Sequence, residues 1–371
     1  LNYKYIDNGA ELAKAARALS GQHVVAFDIE CASGLHHYGK RVCLIQLATP
    51  DETYIVDVLA DLHLEPLKGV LEDSAIEIVM HDTDFDMRSL DRDYDWHPVN
   101  LFDTLIAARM CGHRKFGLGF LLEHYFGVKG SKKFQRADWM KRPLSAEMLE
   151  YAAGDVHYLI ELRDILHKRL AELGRVEWAS ERFASRENLR FELDTRPLFV
   201  RVKRAKEQCS GRELAVLKEL AEARESIAAR LDLPPFKIIS DEKLIVLAKR
   251  PPKSEADLAG RRGMHPYCRG RGAVVLVAAI RRGLSAPKLS WPTSPRGGRR
   301  RRHSPELMER LKAWRAEMAE RHDVEPDVIL SMNAIRMLAA GASVASVLGE
   351  EPVRKWGEGD VRLALERLIG S

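Results

Sequence analysis

The stretch Val24-Val25-Ala26-Phe27-Asp28-Ile29-Glu30 is an apolar run closed by two carboxylates. Its β-branched and aromatic residues read as a buried strand. Residues two apart on a strand face the same way, so Asp28 and Glu30 are aimed at one spot. Like charges held that close repel, and burial raises the cost. A positive partner is expected between them, and oxygen-only ligands favour Mg²⁺ or Mn²⁺. The plain alternative is a strand that frays into an acidic loop. Ligands from elsewhere in the chain must decide between the two.

Around this stretch the pattern is that of a mixed sheet. A short strand, Tyr3 to Ile6, precedes a helix with Leu12, Ala15, Ala16 and Leu19 on one side. Arg41 to Ala48 and Thr53 to Val58 are two more strands, joined by the turn Thr49-Pro50-Asp51-Glu52. Links this short predict an antiparallel meander, because parallel pairing needs a longer crossover. The pattern then alternates: helix Glu65 to Glu72, strand Ile76 to Met80, helix Asp84 to Leu90, strand Val99 to Phe102, helix Thr104 to Met110. That is an α/β layer with parallel strands. Leu118 to Phe126 and Ala146 to Leu173 are further helices.

From Glu207 onward the patterns are helical, and they repeat. Residues 217–248 slide onto 308–339 without a gap. Leu220, Arg224, Ala228, Arg230, Asp232, Pro235, Ile238, Ser240, Leu247 and Ala248 meet their counterparts 91 positions later. The unit is a helix, an Asp-x-x-Pro turn and a second helix capped by Ser240 or Ser331. Two small helical domains are expected. Between them, Arg281 to Pro305 holds eight Lys or Arg and no acid, including Arg299-Arg300-Arg301-Arg302. It reads as an extended basic connector that could grip phosphates, or as a solvated linker.

Composition sets outer bounds. The chain has 371 residues, more than one domain by size. Its 46% hydrophobic and 30% charged residues suit a soluble globular protein, and the net charge of +5 says little. Five cysteines without C-x-x-C spacing read as reduced thiols in a cytoplasmic protein, not zinc ligands or disulfides. Leu1 to Ser20 lacks the pattern of a signal peptide, and the apolar run Ala273 to Ile280 is too short to span a membrane.

Two further acidic sites can complete the ligand set. His81-Asp82-Thr83-Asp84-Phe85-Asp86 follows a strand, where ligands gather in α/β sheets. Asp84 is also a plausible helix cap, and Asp86 falls in the first helical turn. In Tyr151-Ala-Ala-Gly-Asp155 the tyrosine and aspartate share a helix face, and the small residues between them permit close approach. A tyrosine packed in a core helix with an exposed aspartate is the ordinary alternative. Asp103 is expected to cap a helix or support the site. His81, His113 and His157 have no metal-ligand spacing. Together Asp28, Glu30, Asp86 and Asp155 can hold two divalent cations about 4 Å apart, with Tyr151 beside them to orient a water. Such a set suits phosphodiester hydrolysis.

Phe27-Asp28-x-Glu30, His81-Asp82-x-x-Phe85-Asp86 and Tyr151-x-x-x-Asp155 resemble the three motifs of the DEDD exonucleases, in the tyrosine variant. Leu44-Ile45-Gln46-Leu47, Leu101-Phe102-Asp103-Thr104, Asp138-Trp139-x-x-Arg142-Pro143-Leu144 and the sequence around Tyr151 resemble blocks of the ribonuclease D family. The helical repeats resemble its HRDC domains. The resemblance implies an α/β ribonuclease H-like exonuclease domain over residues 1–200. HRDC-like domains would follow over 207–284 and 304–371, with the basic linker over 285–303. It implies a 3′–5′ exoribonuclease with Asp28, Glu30, Asp86 and Asp155 as ligands of two Mg²⁺ or Mn²⁺ ions. Tyr151 would position the water. The expected substrate is RNA with a 3′ extension, such as a tRNA precursor, and the product nucleoside 5′-monophosphates. Gln46, His81 and Arg299 to Arg302 are assigned to nucleic-acid contact. Trp139 and Arg142 face either RNA or the core. The segment Cys31 to Tyr38 departs from the better-known members and is expected near the terminal nucleotide. A monomer without membrane association is expected. The rival readings are a 3′–5′ DNA exonuclease, a non-catalytic nucleic-acid-binding protein, and helical domains that bind protein while the linker alone binds RNA.

Overall fold

A computed structural model describes residues 1–32, 34–130, 132–292, 304–350 and 360–370. Arg299 to Arg302 lie outside the described residues. The chain divides into two compact units. One holds Leu1–Cys31, Arg41–Glu192 and the described residues beyond 303; the other holds the described residues of 32–40 and 193–292.

The first unit is organised on a six-stranded mixed sheet in the order β1-β4-β3-β2-β5-β6. The strands are β1 Lys4–Ile6, β2 Val24–Cys31, β3 Val42–Ala48, β4 Thr53–Asp57, β5 Glu77–Met80 and β6 Leu101–Asp103. The central run β2-β3-β4 is the expected antiparallel meander. β1 joins β4, and β5 and β6 extend β2, all in parallel. Because β2, β5 and β6 run the same way, Glu30, His81 and Asp103 finish on one edge of the sheet. The strands are buried on nearly every residue, which explains their unbroken apolar runs. Helices α1 Gly9–Ser20, α2 Glu65–Leu71, α3 Thr83–Tyr94, α4 Thr104–Met110, α5 Leu118–Phe126, α6 Ala146–His157, α7 Leu159–Glu172 and α8 Val176–Glu187 cover it.

One expectation is corrected here. The long helix Ala146 to Leu173 is broken at Tyr158, which stacks on Phe126 at 5.2 Å. The break lets α6 lie over β2, β3 and β4 while α7 turns to pack on α4. Ala152 and Ala153 are fully buried, so their small size serves this packing and not approach by a ligand.

The two helical repeats share their internal joints. Asp232 and Asp323 both take the left-handed conformation that ends the first helix, at φ 48° and 47°. Pro235 and Pro326 open the short second helices, and Ser240 and Ser331 cap the third through Lys243 N and Ala334 N. Arg224 donates to the Ile239 carbonyl at 3.0 Å, and Arg315 to the Leu330 carbonyl at 3.1 Å. In the first repeat, helix Ala273–Ser285 packs on helix Gly211–Leu231. Gly283 permits it, since a Cβ there would lie 2.5 Å from Val216 Cα. That helix absorbs Arg281 and Arg282, and Leu289 pairs with Gly211, so the start of the expected extended connector is ordered on this repeat, and 293–303 lie outside the described residues.

The segment after Glu30 is also placed differently from expectation. Residues 32–40 group with the first helical repeat. His37 Nδ1 lies 2.6 Å from Asp232 Oδ2, and Tyr38 donates from its hydroxyl to Glu225 at 3.0 Å.

Candidate active site

Asp28 and Glu30 stand at the carboxyl end of β2, with a bulge between Glu30 and Cys31 ending the regular pairing. Asp86 comes from the first turn of α3 and is buried. Asp155 and Tyr151 come from one face of α6. The four carboxylates perturb one another. Burial and then the nearby Asp28, Asp155 and Asp86 raise Glu30 well above the usual range. Burial, with the charge of Asp28 next, likewise raises Asp86 and Asp155. Asp28 is pushed up to about 7, chiefly by burial, against the opposing bonds from Ile29 N–H and Asp86. The bond between the two lowers Asp28 and raises Asp86, so the pair shares a proton.

Among the described residues, no Lys, Arg or His forms an ion pair with any of the four. No three of them bring oxygens within 4.8 Å of one another; the group that does so is Asp91, Asp95 and His97. There Asp91 is already engaged by Phe191 N–H at 2.6 Å and His97 Nε2 at 2.9 Å. The four site acids thus form an oxygen-only set with no cationic side chain paired to them among the described residues, the kind of donor set that hard divalent cations take.

Tyr151 is held between Phe134 and Trp139, with ring centroids 5.8 and 6.1 Å away. Burial, followed by the charges of Asp155, Glu30 and Asp28, raises its hydroxyl far above the ordinary range, and it bonds Asp155. These causes hold the hydroxyl in its neutral, donating form.

Two neighbours fix the frame. Asp103 accepts from Asp82 N, Thr83 N, Thr83 Oγ1, Leu105 N and Ile106 N at 2.9–3.3 Å. It caps α4 and ties the turn before α3 to it. Within that turn Asp82 sits at φ 63°, a conformation sparsely used outside glycine. Arg142 grips both oxygens of buried Asp57 at 2.6 Å and the carbonyls of Trp139, Lys141 and Cys43. This pins the loop that leads into α6. Trp139 is fully buried in the core, and Arg142, half-buried, is taken up by these contacts.

The nucleic-acid assignments fare differently. Gln46 is paired with Asp28 across β2 and β3, hence on the same face, but it is fully buried. α6 covers β3, so Gln46 presents no surface to RNA, and its side-chain amide makes no hydrogen bond within the protein. His81 is half-buried and bonds Thr104 Oγ1 at 2.9 Å, while that hydroxyl lies 3.0 Å from the Met80 carbonyl. Burial lowers its pKa to about 4 against the pull of Asp103, so it carries no charge for a phosphate at neutral pH. Sequence patterns gave no sign of either burial. The Asp57–Arg142 pair was also missed, although Arg142 stood in a recognised block.

A mixed sheet with this order, carrying these acids on β2, α3 and α6, defines a 3′–5′ exonuclease domain. Residues 3–171 match a family described as 3′-5′ exonuclease, and residues 213–279 and 304–344 match the HRDC domain. A ribonuclease D of Granulibacter bethesdensis is 30% identical over 342 residues, covering 91% of this chain and 86% of the relative. The crystal structure of Escherichia coli RNase D superposes with a TM-score of 0.70 at 24% identity, over 100% of this chain and 99% of that one. A crystal structure of a protein from Bifidobacterium adolescentis gives 0.79 at 25% identity, over all of both chains. The chain belongs to the ribonuclease D family and is a 3′–5′ exoribonuclease. The family depends on divalent metal ions.

Proposed function

We propose that the chain trims the 3′ end of structured RNA, such as tRNA precursors, by two-metal-ion hydrolysis that releases nucleoside 5′-monophosphates. The observation that carries this reading is the set of four mutually repelling acids with no cationic side chain paired to them. Asp28, Glu30, Asp86 and Asp155 would hold two Mg²⁺ or Mn²⁺ ions. When bound, the ions supply the positive charge that the attacking and leaving oxygens of a phosphodiester require. Tyr151, neutral and fixed by two rings, orients the attacking water by hydrogen bonding. Asp103 and Arg142 keep α3 and α6 in place so that the acids stay in register.

In this reading residues 1–200 are the catalytic domain, 207–284 and 304–371 are HRDC-like domains that help hold RNA, and 285–303 with Arg299 to Arg302 is a basic linker contacting phosphates. No helix among the described residues is long and apolar enough to cross a membrane. A cytoplasmic monomer agrees with five free cysteines.

The test is digestion of a 5′-labelled, 3′-extended tRNA and a DNA strand of the same sequence, with Mg²⁺, Mn²⁺ or EDTA. A metal-dependent ladder shortening from the RNA 3′ end, with DNA spared, is expected. Digestion of DNA alone would move the substrate to DNA. Binding without digestion under either metal would make the protein a binding module.

A further inference from the structure

A cavity of about 520 Å³ opens on the catalytic domain where the end of α4, α5 and the last turns of α7 meet. Cys111, His113, Tyr125, Lys168, Arg169 and Glu172 are among its lining residues. Glu172 is the one acid in that lining, and Arg169 pairs with it at 3.0 Å, which leaves the Lys168 charge uncompensated there. Aromatic rings crowd its rim. His113 Nε2 and the Tyr125 hydroxyl are hydrogen-bonded at 2.7 Å. His124 stands edge-on to Tyr125 at 4.7 Å and stacks nearly parallel on Phe120 at 5.8 Å. Phe120 is 36% exposed, and Lys115 Nζ hovers 5.7 Å from its ring.

Exposed rings interleaved with cations are what single-stranded nucleic acid needs. Any base can stack on a ring, and the cations follow the backbone. The cavity is also joined to the active site by chain. Gly130 lies against Gly119 of α5, so closely that a Cβ on it would sit 2.7 Å from Gly119 Cα. Exposed Lys129 and Lys132 flank this point, and the ring of Phe134 meets Tyr151. Along α6 and α7, Lys168 is thirteen residues past Asp155, roughly 20 Å of helix at about 1.5 Å per residue. That separation is of the order of a few nucleotides.

We infer that this cavity and its rim bind an upstream nucleotide of single-stranded RNA, its base on the Phe120–His124 pair and its phosphate at Lys168, while the 3′ end occupies the acids. The inference rests on the RNA reading above and adds a second subsite to it. An enzyme so equipped holds a strand of several nucleotides more firmly than a very short one.

The test uses the full chain in EDTA, where the strand stays intact. Affinities of 5′-labelled oligoadenylates of three and twelve nucleotides are measured by anisotropy across a KCl series. Phe120→Ala is expected to weaken the dodecamer about fivefold or more. Lys168→Glu is expected to flatten the salt dependence of the dodecamer by about one phosphate contact. The trimer, too short to reach, binds both variants as it binds the parent. Both side chains are exposed, and circular dichroism checks that each variant folds. If the parent trims and binds the dodecamer but both variants bind it equally well with an unchanged salt slope, the subsite is wrong and the exonuclease reading stands. If the parent neither binds nor trims RNA, the RNA reading fails and the subsite with it.

Discussion

The sheet carries two kinds of buried carboxylate, and they are treated in opposite ways. Asp57, at the end of β4, would be raised by burial. Instead the bonds from Arg142, Tyr5 at 2.5 Å and Leu59 N–H hold it below the usual range. Asp103, at the end of β6, has five donors around it. Asp28, Glu30, Asp86 and Asp155 have burial and one another against only the Ile29 N–H on Asp28 and the Tyr151 hydroxyl on Asp155, and all are raised. The residue type and the sheet are shared. What differs is whether the chain supplies the compensating donors. Where it does, the carboxylate is architecture. Where it does not, the fold carries an unfavourable charge cluster that a cation from solution would relieve.

The sharpest way to break this division is to neutralise one acid of each kind. Asp28→Asn should lower metal-dependent hydrolysis by about a thousandfold or more, which corresponds to about 4 kcal/mol of transition-state stabilisation. The same change should make the metal-free fold more stable at neutral pH. The sign follows from linkage. Asp28 has a folded pKa of about 7, above its ordinary value, so its contribution is intact in acid and is lost as pH rises through 7. Thermal melts in EDTA at pH 5 and pH 8 should therefore diverge in the parent and diverge less in the variant, where Glu30, Asp86 and Asp155 remain raised. An Asp28→Asn protein that keeps activity, or that melts lower than the parent in EDTA at pH 8, would remove Asp28 from the cation-seeking set.

Arg142→Ala attacks the other kind and should cost about 3 kcal/mol, because it strands a buried Asp57 without its bidentate partner. Here the pH dependence is reversed. Asp57 is depressed in the fold, so its contribution is present above the unfolded pKa and fades as pH falls through the folded one. Denaturant titrations at pH 7 and pH 3.5 should show the penalty shrinking in acid. Equal penalties at both pH values would mean that the arginine acts through packing and its carbonyl contacts alone.

This division also explains what the sequence made legible. The meander, the α/β alternation and the strand-end acids of β2 and α3 follow from periodicity and position, both local properties, while Asp155 on α6 was singled out by the resemblance of Tyr151-x-x-x-Asp155 to a family motif. The helical repeats were visible because equivalent joints, such as Arg224 and Arg315 with their carbonyls, need the same residue at the same offset. Arg142 and Asp57 are 85 residues apart, and nothing local marks them as partners. Gln46 was assigned to RNA through the family block that contains it, and nothing local shows that α6, a hundred residues later, covers it. The kink at Tyr158 depends on Phe126 in another helix. Pairings of this length appear only once the chain is folded.

The smallest expected effect tests whether a fully bonded carboxylate also matters to chemistry. Asp103→Asn keeps the shape and one oxygen, which can still serve Leu105 and Ile106 N–H as the α4 cap. Its amide nitrogen then faces Thr83 N–H, donor against donor, where Oδ2 now accepts at 3.0 Å. The loss of that charge-assisted bond should cost about 1.5 kcal/mol. The Thr83 hydroxyl can turn to accept from the new amide, which limits the damage. Thr83 opens α3, three residues before Asp86, so loosening it should let that acid wander and lower kcat about tenfold with KM little changed. A variant that loses the stability but keeps the parent's kcat would show that the turn supports the fold without positioning the acid, and Asp103 would then belong wholly with Asp57.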